Sequence, residues 1–223
     1  MQSKISASIM CASPLAMGDD LRRLHASGAD YFHCDMMDGH FVPNLMLSTE
    51  TIRAVKKLGL LPLDIHLMVE HPAECLPWLA FGEGDIVSVH LETDKHLQRT
   101  LKLIKDQGAT PALAINPATP LCFVEEVLPD IGMLLIMTVN PGFAGQKLVS
   151  QTLQKVKAAR LMLNERGYES IPIEVDGNCS FENIPKMESA GASIFVVGSS
   201  SVFDPALGIE TGVRMVKEGF MHK

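Results

Sequence analysis

Two histidines and two aspartates, residue types that bind metal ions, lie at the ends of short apolar runs in this sequence: His33, Asp35, His66 and Asp176. Side chains two apart on a strand share a face, so His33 and Asp35 are expected to point the same way. Mixed imidazole and carboxylate ligands suit Zn²⁺, Fe²⁺, Mn²⁺ or Co²⁺ better than Ca²⁺ or Mg²⁺. The residue types therefore predict a site for one divalent metal ion, with all four residues as ligands.

The segments that must position these residues alternate between two patterns. We predict strands over 5–10, 31–35, 61–68, 86–90, 110–115, 133–139, 171–176 and 194–198. Helices are predicted after them, over 19–27, 49–58, 72–81, 96–107, 121–127, 148–166, 180–190 and 205–217, with Asp19 or Asp20 capping the first and Ser48 the second. This alternation is typical of right-handed βαβ units. At 223 residues, it predicts an α/β fold with a single (β/α)8 TIM barrel, formed by one domain over 1–223.

On such a barrel the four polar residues lie at the carboxyl ends of strands, where barrel enzymes have their active sites. A single His or Asp is more often a structural or solvated side chain, but four of them on separate strand ends favour a site. Asp64 shares the face of His66 deeper in the barrel, and we expect it to be a buried polar partner. His90 and Glu92 end the fourth strand, where they either support the site from behind or are only structural.

Glycine-rich loops follow the sixth, seventh and eighth strands. Backbone N–H groups beside glycine approach an anion closely, and the loops after the last two strands commonly bind phosphate in this fold. One such loop is weak evidence, since most are ordinary turns. Three such loops around one barrel mouth, within 140–146, 176–180 and 197–201, predict a phosphate-binding site.

Methionines end several of the same strands. Met37, Met68 and Met137 lie near carboxyl ends, and Met10 ends the first strand. A lone methionine usually fills a gap in a core. Three or four at one mouth predict an apolar ring that excludes water from a reactive intermediate, so Met37, Met68 and Met137 are candidate substrate-binding residues.

Composition excludes several functional classes. Hydrophobic residues make up 47% and charged residues 20% of the chain, a globular mixture. The net charge of −7 and the lack of a basic patch exclude nucleic acid and anionic membranes as expected partners. The five cysteines are odd in number and form no C-x-x-C pair, which favours a reducing compartment. We find no signal peptide or bilayer-spanning run and expect a cytoplasmic protein.

Segments 33–44, 63–68, 139–146 and 174–177 together resemble the ribulose-phosphate 3-epimerase family, over nearly the full chain. The resemblance implies that the four residues bind one divalent metal ion (Zn²⁺, Fe²⁺, Mn²⁺ or Co²⁺) and that Asp35 and Asp176 also transfer protons. It implies an isomerase that interconverts D-ribulose 5-phosphate and D-xylulose 5-phosphate, in the pentose phosphate pathway, through a metal-stabilised enediolate. It further implies substrate contacts from Ser8 and His66 and a homo-oligomer, either a dimer or a hexamer. The family's phosphate contacts fall on Gly142, Phe143, Ala144, Gly145, Gly177, Asn178, Gly198 and Ser199.

The sequence departs from the family pattern at three places. Ala7 replaces the usual Pro, Ala144 the usual Gly, and Asn178-Cys179 a common Gly-Val. The last two changes resemble D-allulose-6-phosphate 3-epimerase, which acts on a six-carbon ketose phosphate, so the length of the substrate stays open. Two other classes remain: a metal-free phosphate-binding barrel enzyme, which chelation would not affect, and a non-catalytic sugar-phosphate binding barrel, which would bind without exchanging the C3 proton.

Overall fold

The computed structural model describes residues 2–220; the predicted domain also includes Met1 and 221–223, which lie outside the described residues. Within 2–220, eight parallel strands close into a barrel, because β1 pairs with both β2 and β9. This confirms the predicted (β/α)8 TIM barrel. The strands are β1 (Lys4–Ser8), β2 (Tyr31–Asp38), β4 (Leu63–Met68), β5 (Ile86–His90), β6 (Thr110–Ile115), β7 (Met133–Met137), β8 (Ile173–Asp176) and β9 (Ile194–Val197), while the short β3 (Leu45–Met46) lies antiparallel to β2.

Helices surround the barrel: α1 (Met17–Ser27), α2 (Thr49–Leu58), α3 (Pro72–Cys75), α4 (Leu97–Asp106), α5 (Gln151–Glu165), α6 (Ile184–Ala190) and α7 (Ile209–Gly219). Helix α2 has the predicted ends. The Ser48 side chain accepts a hydrogen bond from the Thr51 backbone N–H at its start. Gly59, with φ of 63°, ends it in the left-handed conformation that glycine adopts without strain.

Several predicted helices are shorter or of another type. The helices predicted over 148–166 and 180–190 begin only at Gln151 and Ile184. Segment 72–81 forms only α3 and a 3₁₀ turn, Leu76–Trp78, since Pro77 has no N–H to continue an α-helix. Segment 121–127 forms 3₁₀ turns instead of an α-helix. The helix expected from 205 begins only at Ile209, because left-handed backbone at Gly208 (φ 75°) cannot continue a right-handed helix.

The first helix also begins differently from the prediction. Helix α1 starts at Met17 with Ala16 in the capping position, and Ala16 offers no side-chain acceptor. Asp19 and Asp20, the predicted caps, instead lie in the first turn. Their negative charges there interact favourably with the positive end of the helix dipole.

The buried side chains form two layers. The larger apolar cluster joins outward-facing strand residues, such as Phe32 and Ile65, to the helices, including Leu101 and Val156. Inside the barrel, β6, β7 and β9 contribute mainly apolar residues such as Leu135. The other strands, β1, β2, β4, β5 and β8, point buried polar side chains inwards, and these side chains form the candidate site.

Candidate active site

The four predicted metal ligands come together at the carboxyl end of the barrel. Asp35 pairs in register with His66 across β2 and β4, so these residues stand at one level. One nitrogen or oxygen atom from each of His33, Asp35, His66 and Asp176 lies within 4.8 Å of the other three. Asp35 Oδ1 is 3.3 Å from both His33 Nε2 and His66 Nδ1, while Asp176 Oδ2 is 4.0 Å from the first nitrogen and 3.7 Å from the second.

These atoms fit a divalent cation. His33 Nε2 is buried but makes no hydrogen bond with any residue in 2–220, although Asp35 Oδ1 is nearby. When His33 is neutral with its proton on Nδ1, the Nε2 lone pair faces a lone pair of Asp35, and the two repel unless a proton or a metal cation lies between them. Nitrogen and oxygen ligands lie about 2.0–2.2 Å from Zn²⁺, so ligand atoms of one ion are separated by up to about 4 Å. The four residues can therefore hold one such ion.

The charges of the cluster also favour a bound cation. Burial alone lowers the pKa of His33, but the negative charges of Asp35 and Asp64 raise it well above its usual value. Burial raises the pKa of Asp35, but the positive charge of His33 and the nearby imidazole of His66 bring it below its usual value. Burial and the charge of Asp35 raise the pKa of Asp176 to about 7. The two aspartates therefore differ in protonation before any cation binds, and the cluster favours added positive charge.

A second layer of polar residues lies beneath the first. His33 Nδ1 is 2.7 Å from Asp64 Oδ2, and the Ser6 hydroxyl donates to that same oxygen at 2.6 Å. Asp64 is therefore a buried polar partner, as the sequence predicts. Glu174 lies fully buried beside it, and burial with the charge of Asp64 raises its pKa well above the usual value. Sequence analysis gave Glu174 no role, although its spacing of two from Asp176 places both on the inner face.

A cavity of about 60 Å³ opens above the cluster. Every predicted substrate-binding residue except His66 lines it; His66 is fully buried below. Those residues are Ser8, Met37, Met68, Met137, Gly142, Phe143, Ala144, Gly145, Gly177, Asn178, Gly198 and Ser199. Asp35 and Asp176 also line the cavity, together with residues that the sequence analysis did not identify, among them Cys11, Gln146 and Ser200. Ser8 donates to Asp35 Oδ2 at 2.8 Å, which orients that carboxylate.

Amide side chains hold the predicted phosphate loops together. Asn178 Nδ2 donates to the Gln146 carbonyl at 2.9 Å, which ties the loop after β8 to the loop after β7. Asn183 Nδ2 donates to Asn178 Oδ1 at 2.6 Å and fixes the orientation of that amide. Asn44 Nδ2 donates to the Gly142 carbonyl at 2.8 Å from the other side. The loops therefore have a defined shape around the cavity.

The methionines lie where they were expected along the wall. Met37 and Met68 form a small buried cluster with Val42, against which the partly buried Met10 packs. Met137 packs with the apolar residues inside the barrel and pairs in register with Asp176. The wall next to both aspartates is therefore apolar.

A larger groove of about 1020 Å³ lies elsewhere on the surface, lined by Ser3, Gly28, Arg160 and Lys217 among others. None of the predicted site residues lines it. Its size therefore does not make it the candidate site, because the clustered titratable groups lie under the smaller cavity.

Known proteins are similar to this chain over most of its length. A sequence model of the ribulose-phosphate 3 epimerase family matches residues 4–203. The chain belongs to the ribulose-phosphate 3-epimerase family. It is therefore an enzyme of the isomerase class, as the sequence predicts. Ribulose-phosphate 3-epimerase of Bacillus subtilis (strain 168) is 43% identical over 197 residues, which are 88% of this chain and 91% of that protein. The Escherichia coli (strain K12) protein of the same name is 39% identical over 204 residues, covering 91% and 90%.

Solved structures of other enzymes share the fold of this family member. The 3-hexulose-6-phosphate synthase from Salmonella typhimurium superimposes with a TM-score of 0.71 over 97% of both chains, at 15% sequence identity. This likeness concerns the barrel alone. Among residues 2–220, no helix has both the length and the apolar character needed to cross a bilayer.

Proposed function

We propose that this chain is a metal-dependent ketose-phosphate 3-epimerase that interconverts D-ribulose 5-phosphate and D-xylulose 5-phosphate. The observation that carries the proposal is the approach of His33, Asp35, His66 and Asp176 within 4.8 Å beneath a cavity lined by glycine-rich loops. The names of the curated relatives support the substrate. The metal ion would be Zn²⁺, Fe²⁺, Mn²⁺ or Co²⁺, held by these four side chains.

The two aspartates would transfer protons at C3 of the ketose. Epimerisation removes the C3 proton from one face and returns a proton to the other, so it needs two acid–base groups. In the isolated cluster the pKa of Asp35 is lowered and that of Asp176 is raised to about 7, a difference that suits a base and an acid. Their roles reverse in the opposite direction. When bound, the divalent ion supplies positive charge next to the carbonyl oxygen where negative charge develops.

The loops after β7, β8 and β9 would bind the phosphate. Gly142, Gly145 and Gly177 have φ values of 118°, 78° and 120°, a backbone conformation in which N–H groups can converge on an anion. Gly198 and Ser199 complete the cup from the loop after β9. Met37, Met68 and Met137 would exclude water from the reacting carbon.

D-allulose 6-phosphate, which would be converted to D-fructose 6-phosphate, is the second candidate substrate. Ala144 and Asn178-Cys179 favour it, since they resemble the six-carbon enzyme. Asn178 has φ of 52° where the five-carbon family commonly has glycine, and its amide lies within the cup. The proposal also extends to a single domain over 1–223, a homo-oligomer (dimer or hexamer) and a cytoplasmic location.

Turnover of purified protein on the two sugar phosphates decides between the substrates. Faster epimerisation of ribulose 5-phosphate is expected, whereas preference for allulose 6-phosphate would select the second candidate.

Chelation should abolish turnover and Zn²⁺ or Co²⁺ should restore it; full activity after complete demetallation would contradict the metal site. Binding of either sugar without exchange of the C3 proton into ²H₂O would indicate a non-catalytic barrel.

A further inference from the structure

His66, His90 and Glu92 form a hydrogen-bonded series that leads away from the cluster. His66 Nε2, the nitrogen that does not face the aspartates, lies 2.9 Å from His90 Nε2. His90 Nδ1 in turn lies 3.0 Å from Glu92 Oε2. Both histidines are fully buried, whereas the Glu92 side chain is 22% exposed at the far end. Each ring therefore has one partner on each of its two nitrogens.

The contact between the two rings allows only two proton arrangements for neutral histidines. At 2.9 Å one Nε2 carries the hydrogen and the other accepts it. If His90 donates, its Nδ1 has no hydrogen and turns a lone pair towards Glu92, which a carboxylate repels. If His66 donates, His90 Nδ1 carries a hydrogen and donates it to Glu92. A charged Glu92 thus selects the arrangement in which the proton of His66 is on Nε2.

Hydrogen-bond donors around Glu92 favour its charged form. Burial alone would raise its pKa, but hydrogen bonds from His90, the Thr119 hydroxyl and the Asn116 N–H lower it to about 2. Lys155 Nζ holds the same loop by donating to three of its carbonyl oxygens, including that of Asn116. The carboxylate therefore has fixed donors on both oxygens.

We propose that His90 and Glu92 are positioning residues that keep the Nδ1 lone pair of His66 free for the divalent cation. The proposal rests on the metal site of the proposed function. A neutral histidine binds a metal ion through one nitrogen only when its proton lies on the other, and outer partners that place this proton commonly change metal affinity about 10–100-fold. Sequence analysis left His90 and Glu92 between a supporting and a merely structural role.

The test measures Zn²⁺ affinity by competition with a chromophoric chelator, for the whole protein and three variants. Glu92→Gln keeps the shape but removes the charge, and we expect Zn²⁺ to bind about 10–100-fold more weakly. Thr119→Val removes one donor to Glu92 but leaves the carboxylate, so it controls for loop anchoring. Glu74→Gln makes the same charge change at an exposed glutamate. Both controls are expected to bind Zn²⁺ as the wild type does.

Nitrogen-15 NMR of the imidazole rings gives a second measurement that does not depend on any variant folding. In the Zn²⁺-loaded wild type, His90 is expected to have a protonated Nδ1 and an unprotonated Nε2; the reverse pattern would overturn the proposal. Equal Zn²⁺ affinity of Glu92→Gln and wild type, or equal weakening by Thr119→Val, would also overturn it while leaving the metal site intact. Failure of the wild type to bind Zn²⁺ would overturn the proposed function and this inference together.

Discussion

His33 Nδ1 lies 2.7 Å from Asp64 Oδ2, a contact between two fully buried side chains that leaves Nε2 facing the cluster. Replacing Asp64 by Asn should weaken divalent-metal binding about 10–100-fold, because the carboxylate no longer specifies which nitrogen carries the proton. Chelator competition measures this change. Ser6→Ala is the matched control, since Ser6 donates to the same oxygen of Asp64 and its loss leaves the carboxylate in place. Unchanged metal affinity in Asp64→Asn would mean that this contact does not orient His33.

Asp35→Asn and Asp176→Asn should each lower turnover by orders of magnitude and leave the fold intact. An amide cannot take or supply the C3 proton, and general acid–base groups typically contribute about 10²–10⁴-fold. Circular dichroism checks the fold, and a direct titration of sugar-phosphate binding separates loss of proton transfer, followed by ²H incorporation at C3, from loss of binding. Near-normal epimerisation by either variant would contradict the proton-transfer roles.

Asn178→Ala should raise KM for the sugar phosphate more than it lowers kcat. The variant loses the hydrogen bond to the Gln146 carbonyl that joins two phosphate loops, and one such bond contributes about 1 kcal/mol, or about 5-fold in binding. Asn178→Gly separates this effect from backbone strain, because glycine adopts the φ of 52° freely. A rise in KM for the alanine variant alone would assign the effect to strain instead of the hydrogen bond.

The pH dependence of stability should reveal the charge of Glu92. Its folded pKa of about 2 lies below the usual value of 4.5, so its contribution is complete above pH 4.5 and is lost as the pH falls towards 2. Over that window the stability advantage of wild type over Glu92→Gln should shrink by about 1 kcal/mol, because solvent screens much of the interaction of this exposed residue. Urea unfolding with chelator present measures this difference without a contribution from bound metal. An advantage that does not change with pH would contradict a lowered pKa.

Much of the barrel could be predicted because short sequence patterns specify most of its strands and helices. Strands β5 and β6 have the expected limits, since short, largely apolar runs that follow Gly84-Asp85 and Gly108 require little from the rest of the chain. Helix ends were predicted where a capping residue sets them locally, as at Ser48 and Gly59, whereas the start predicted at 205 was wrong because the conformation of Gly208 interrupts the helix. The helix expected at 72–81 was wrong because the effect of Pro77 was overlooked.

The sequence by itself determined that His33, Asp35, His66 and Asp176 stand on inner strand faces near one rim, because side chains alternate strictly along a strand. Only the tertiary structure decided which ring nitrogen of each histidine faces the aspartates. It also decided that His90 lies against His66, and that Asp64 lies beneath His33. Those contacts cross between strands, so they depend on register and barrel closure, which bring together atoms far apart in the chain.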